Sequence, residues 1–332
     1  MKILSCLILA LLISVQESGA QDPNPEYFTN RLVGLNKDEI KTLEEKARNR
    51  DASAQLLIGL LKMKTRNPAR RDYQNPNEGL SLIKLAAEQN FAPAQYFIVE
   101  LCQDQANEGI IGHEACKNDR VFLERAVSQN YPAAVWYRAY FYLNNKPSDC
   151  DKAIENYKKS GELGFAYGFY SVGRLYENGT CVKADEQVAN KWYMKSAEAG
   201  DATAQDTLAI RISEGIGTRP NNREAVKWFK KSAEQGHVYG ACNLALHYAR
   251  GLGVARNPHF ALKWSFVSNS LDGLKCHPDD FVEFLKIRRK GTIIRARESA
   301  LGWLRKHPWL TNNFGERPWL KDGEFPITFR EH

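Results

Sequence analysis

The chain has 332 residues, of which 43% are hydrophobic and 26% charged, with a formal net charge of +7. That balance is normal for a core-forming protein and excludes an intrinsically disordered chain. The charge is spread along the sequence apart from a cluster at 286–297, so it gives no reason to expect a nucleic-acid partner.

In chain order the first element is MKILSCLILALLISVQESGA, residues 1–20, where Lys2 precedes an apolar run from Ile3 to Val15 and Ser18-Gly19-Ala20 closes the segment. This pattern predicts a cleaved export signal, the run being short of the roughly 20 residues that a bilayer core needs. No later apolar stretch is long enough to span a membrane. A periplasmic or secreted mature protein is therefore expected. Cys6 would leave with the signal, and Cys102, Cys116, Cys150, Cys181, Cys242 and Cys276 remain, an even number suited to three disulfides in an oxidising compartment.

After a lead at 21–36, residues 37–269 carry a repeat. KWYMKSAEAG (191–200) returns as KWFKKSAEQG (227–236), and SGELG lies at 160–164. AVSQN (126–130) and AAEQN (86–90) continue the pattern backward, and DASAQ, FAPAQ and DATAQ follow three of the anchors. A period of about 34 to 41 residues marks a helical-pair array. Within one unit Ala225, Trp228, Phe229, Ser232 and Ala233 form the stripe of a first helix, A, ended by Gly236. Ala241, Leu244, Ala245 and Tyr248 form the stripe of a second, B. Gly215-X-Gly217 and Gly251-X-Gly253 then turn the chain into the next A helix. One pair cannot bury both of its faces, so successive units must present the same surface in series.

The run A-x-x-W-[YF]-x-K-[SA]-A-E-x-G followed by A-x-x-L-A and Y-x-x-G-x-G resembles the Sel1-like repeat, a relative of the tetratricopeptide repeat. Residues 184–269 match it closely and 37–183 more loosely. The resemblance implies an all-α, right-handed solenoid of about six or seven helix pairs, whose function is to hold a protein or peptide partner without catalysis. Residues 92–148 depart most, with a longer loop from Gln103 to Lys117 and with Asn90 and Asn130 in place of the turn glycine. Residues 270–306 then read as a helical cap, one helix with Phe281, Phe284 and Leu285 and another with Ile293, Ile294, Ala300, Leu301 and Leu304. The tail, 307–332, holds His-Pro-Trp-Leu and Arg-Pro-Trp-Leu ten residues apart and reads as a packed cap or a recognition arm.

Catalytic and metal chemistry have little support. No His-x-x-x-His or Cys-x-x-Cys spacing, nucleophile elbow, phosphate loop or dinucleotide fingerprint occurs, so no cofactor or metal is expected. Some cysteine-rich relatives of this repeat are described as penicillin-binding or β-lactamase-like, and Ser81-Leu82-Ile83-Lys84 is formally Ser-x-x-Lys. Lys-Thr-Gly is absent, however, and Ser148-Asp149 is followed by Cys150. The disulfide rule of that branch pairs a cysteine in helix A with one eight residues later in helix B; Cys242 fits the second position, but Glu234 occupies the first. A luminal adaptor in protein quality control is the alternative for a eukaryotic source. Asn178-Gly179-Thr180 is a glycosylation sequon on an expected turn. The cluster Lys286, Arg288, Arg289, Lys290, Arg295 and Arg297 reads as a solvated helix face, or as a weak contact to an anionic envelope surface.

Two lysine ladders are the candidate binding residues: Lys191, Lys227 and Lys263 at one repeat position, and Lys159, Lys195 and Lys231 at another. Glu162, Glu198 and Glu234 follow the second ladder at i+3, so exposed ion pairs are the simpler expectation for it. The register orders the disulfides with Cys102–Cys116 first, followed by Cys150–Cys181 and Cys242–Cys276.

Overall fold

A computed structural model of the chain describes residues 35–63, 75–107, 119–144, 148–272 and 290–307, together with Cys276, Phe281, Leu285 and Lys286. The expected export signal and almost all of the tail lie outside these residues. Among the described residues there are fourteen helices and no strand. They are α1 (Lys37–Arg48), α2 (Ala52–Lys62), α3 (Pro76–Glu88), α4 (Ala92–Asn107), α5 (Asp119–Ser128), α6 (Pro132–Asn144) and α7 (Cys150–Glu162). The series continues with α8 (Tyr167–Asn178), α9 (Glu186–Glu198), α10 (Ala202–Glu214), α11 (Asn222–Glu234), α12 (Val238–Arg250), α13 (Pro258–Asp272) and α14 (Lys290–Arg305). Odd-numbered helices from α1 to α13 take the A role and even-numbered ones from α2 to α12 the B role. Each helix packs on its sequence neighbour, and α14 closes on α13. The result is a solenoid.

Local chemistry sets each helix boundary. Asn36, Asn75, Asp149, Asp185, Asn221 and Asn257 stand at the entry to A helices, and each side chain accepts from a first-turn N–H. The A-to-B turn puts one residue in the left-handed region in all six pairs: Arg50, Asn90, Asn130, Gly164, Gly200 and Gly236. The next residue's N–H then closes the helix on a carbonyl five back, as from His237 to Ser232 at 3.1 Å. Asparagine tolerates positive φ, so Asn90 (φ 63°) and Asn130 (φ 55°) keep the turn where glycine is missing. Gly217 and Gly253 also have positive φ and lie against the backbone of Glu186 and Asn222, where no side chain would fit.

The repeated serine is the staple between units. Ser160, Ser196, Ser232 and Ser268 are all buried, and each hydroxyl donates to a carbonyl at the start of the preceding B helix: Pro132, Ala166, Ala202 and Val238, at 2.7 to 3.0 Å. Beside it, Ala197 and Ala233 have no more than 1% exposure, which is what close helix approach requires. Ala225, Trp228, Phe229, Ala241, Leu244 and Ala245 are buried as the stripe demands, with Tyr248 packed partly buried against them.

A glutamine network adds a second link. Gln55, Gln95 and Gln205 in B helices cap the carbonyls of Ala47, Ala87 and Ala197 in their partner A helices. Each then accepts from a glutamine closing the next A helix: Gln89, Gln129 and Gln235. Where the B position is instead Phe169, the following A helix ends in Ala199.

In the cap, Phe281 and Leu285 are buried and α14 buries Ile293, Ala300 and Leu304. Ile294 corrects the expected stripe, being 46% exposed because α14 packs through one face only. The basic cluster is divided: Arg295 is exposed, whereas Arg297 turns buried guanidinium nitrogens inward. Trp303 packs edge-on against Trp264, and His307 stacks on Trp303.

Candidate functional site

Cys150 opens α7 and is bonded to Cys181 in the turn after α8, with Cα atoms 5.3 Å apart. Cys242 of α12 is bonded to Cys276 beyond α13, at 5.7 Å. Cys102 is buried and disulfide-bonded, and Cys116 lies outside the described residues. Asn178 and Thr180 are exposed, with Gly179 as a left-handed helix cap between them.

The formal Ser-x-x-Lys pair lies within α3. Ser81 is on the exposed face of α3, and its hydroxyl donates to the Asn77 carbonyl at 2.8 Å, as an ordinary helical serine does. Among the described residues no group of three or more His, Cys, Asp or Glu is placed to hold a metal. No helix among them is long and apolar enough to cross a membrane.

The buried polar groups serve as joints between units. Arg211, 3% exposed, reaches Glu177 at 2.7 Å and also bonds Glu186 and Asn190, while its guanidinium lies over the Tyr193 ring. One repeat later His247 occupies the equivalent place, beside Ser213 and against Phe229. Asp206 of α10 accepts from Asn243 of α12 at 2.9 Å. Its burial pushes its pKa up to about 6, with the Asn243 bond opposing that rise. Burial also holds the His237 imidazole below its usual range.

The lysines do not gather at one point. Lys227 pairs with Glu224 at 2.7 Å. Lys191 is exposed at a shallow hollow bordered by Met194, Leu208 and Ile212. Lys263 is half-buried over the Trp264 ring at 4.7 Å, and burial lowers its pKa.

The second ladder departs from the expected i+3 ion pairs. Lys195 sits 4.0 Å from the centre of Phe169 and 5.3 Å from that of Trp192; Lys231 sits 3.9 Å from that of Trp228. Glu234 instead lies 3.7 Å from Lys230. The cause is geometric: Trp192 and Trp228 precede these lysines by three residues, and each ring offers a nearer, electron-rich face. Lys159 is exposed and makes no ion pair among the described residues. Lys195 and Lys231 therefore lie along the edge of the apolar stripe.

The register adds members that the sequence reading missed. One position before the staple reads Glu45, Leu85, Arg125, Lys159, Lys195 and Lys231, and three residues earlier stand Thr42, Leu82, Phe122, Asn156, Trp192 and Trp228. Arg125 lies 5.8 Å from the Phe122 ring centre, repeating the arrangement. Toward the N-terminus the row meets a cleft of about 690 Å³ where Ile58, Leu82 and Leu85 stand among charged side chains of both signs, Glu44, Glu78 and Lys62 included.

The Sel1 repeat family matches residues 72–91, 132–165, 168–201, 202–237 and 238–265. Among solved structures, c5321, a protective antigen of uropathogenic Escherichia coli strains displaying an SLR fold, aligns over 83% of this chain at 20% identity and a TM-score of 0.57. The chain spans 57% of the length of that protein. A Sel1 repeat protein from Oxalobacter formigenes aligns over 70% of this chain and 88% of its own, at 25% identity and a TM-score of 0.50. No curated protein matches in sequence. Such repeats generally serve protein interaction. Five matched repeats, the serine staple between units and the two solved solenoids lead to one conclusion: the chain is a Sel1-repeat protein.

Proposed function

We propose that the chain is an exported, non-catalytic scaffold, periplasmic or secreted, that holds a protein or peptide on an exposed row of its A helices. The observation that carries this reading is the run Arg125, Lys159, Lys195 and Lys231, four exposed cations in successive units that make no ion pair among the described residues. Three are held over rings, so they are ordered before any partner arrives, which lowers the entropy cost of binding. Two disulfides and the predicted signal support the oxidising location. The test is a photo-crosslinking residue at position 227, beside the row, compared with one at Glu155. Capture of a discrete protein from the native compartment at 227 alone supports the scaffold; no capture at either position defeats it. An N-terminus at Gln21 in the exported protein checks the signal, and nitrocefin turnover abolished by Ser81→Ala would restore the hydrolase alternative.

A further inference from the structure

Resting on that reading, we infer that the partner presents an extended acidic segment whose carboxylates recur every third residue, with an apolar side chain at the end that meets Leu82 and Leu85 of α3. The argument begins from spacing. Neighbouring A helices are in contact, since Lys158 of α7 lies 5.3 Å from the Trp192 ring centre of α9. Packed helices lie about 10 Å apart. An extended chain advances about 3.3 Å per residue, so three residues carry a carboxylate from one cation of the row to the next. Arg125, Lys159, Lys195 and Lys231 then take four carboxylates in register.

Charge around the row narrows the class of partner. Glu162, Glu198 and Glu234 are exposed three residues beyond the lysines, forming an acidic row beside the basic one. A flat polyanion, such as an anionic membrane or a sheet of envelope polymer, would meet both rows and lose on the second what it gains on the first. A single narrow chain aligned on the cations avoids that repulsion. The row also has distinct ends. On the α3 side it passes into apolar Leu82 and Leu85, the latter 48% exposed, and beyond them α1 places exposed Glu45, which an acidic segment would avoid. On the α13 side the equivalent positions are Trp264 and Val267, both buried, with Trp303 packed on Trp264. The apolar end of the partner therefore belongs at the α3 end.

The full-length oxidised protein should be titrated against a fluorescein-labelled peptide with a leucine pair followed by four Glu-Ser-Gly triplets. The same peptide with the leucines at the other end covers the reverse orientation. A third peptide of identical composition has its four glutamates contiguous. The better triplet peptide should bind about tenfold more tightly than the contiguous one, and Lys195→Gln with Lys231→Gln should weaken it by about tenfold or more. Lys183→Gln, in the turn before α9 and away from the row, should leave affinity unchanged, and Leu85→Ser should abolish the benefit of the leucine pair. Equal affinity for triplet and contiguous peptides overturns the register. Vesicles of anionic lipid that bind with the same dependence on Lys195 and Lys231 overturn the peptide class. If a crosslinked partner is retained by the double glutamine variant, the scaffold stands and this inference falls; if no partner is captured, the scaffold itself has failed.

Discussion

Asp206 offers a quantitative test of how the units are joined. It is 6% exposed between α10 and α12 and accepts one hydrogen bond, from Asn243. The nearest titratable group facing it is His237, whose Nδ1 lies 3.9 Å from the carboxylate. That nitrogen already accepts the Gly240 N–H as the cap of α12, so neutral His237 offers it no proton. The carboxyl is consequently easier to keep neutral, with its pKa raised from 3.8 to about 6. Between those two values the native state holds a proton that the unfolded chain has lost, so stability falls as pH rises through this window. At about 1.4 kcal/mol per pH unit, the penalty reaches about 3 kcal/mol above pH 6 and vanishes below the unfolded value. Asp206→Asn keeps an acceptor for Asn243 and removes the charge. Urea unfolding followed by circular dichroism should therefore find the variant more stable by about 2–3 kcal/mol at pH 7.5 and level with wild type near pH 3.5. The same offset at both pH values, or a loss at pH 7.5, would refute a charge-burial origin.

Other sites give sharper tests of packing. Ser232→Ala removes the buried hydroxyl's bond to the Ala202 carbonyl and should cost about 1 kcal/mol in urea unfolding. Ala233→Leu should overpack the contact and cost about 1–3 kcal/mol, seen as a lowered Tm. Trp228→Ala should cost about 3–5 kcal/mol, whereas Trp228→Phe should be nearly neutral in Tm, because the buried indole N–H finds no acceptor among the described residues. Arg211→Ala removes a buried guanidinium, but Glu177 keeps Tyr193 and Arg174 and Glu186 faces solvent, so it should cost about 1–3 kcal/mol by the same measurement.

The architecture was legible because one short phrase carries several constraints at once. Ser-Ala-Glu-X-Gly combines a hydroxyl staple, a small contact residue and a left-handed turn, so its return at a fixed interval defines the unit. The cap residues Asp149, Asp185, Asn221 and Asn257 recur at 36-residue intervals and were equally readable. The ladder's partners were less so. An i+3 lysine–glutamate spacing predicts an ion pair, but the sequence does not weigh that pair against a tryptophan three residues on the other side. Arg125 was hidden because its anchor reads AVSQN, with alanine in place of the staple serine. The glutamine links required a different comparison: Gln55 with Gln89, Gln95 with Gln129 and Gln205 with Gln235 join residues 30 to 34 apart, visible only once the helices are placed side by side.

The cation row is separable from folding in a way that the staple is not. Its side chains face solvent, and exposed substitutions usually change stability by no more than about 0.5 kcal/mol. Like charges about 10 Å apart in water repel by only about 0.4 kcal/mol before salt screening. Folding thus neither demands nor forbids four cations there, whereas Ser232 and Gly236 contribute to it directly through the staple and the turn. The stability at stake is the ring contact of Lys195 and Lys231, about 0.5–1 kcal/mol each at exposed sites. Replacing Lys159, Lys195 and Lys231 together with glutamine should therefore cost no more than about 2 kcal/mol and leave the helical circular dichroism spectrum unchanged, while capture of the crosslinked partner is lost. A triple variant that unfolds would show that the ring contacts are structural. One that folds and still captures the partner would show that the row is only a solvated face.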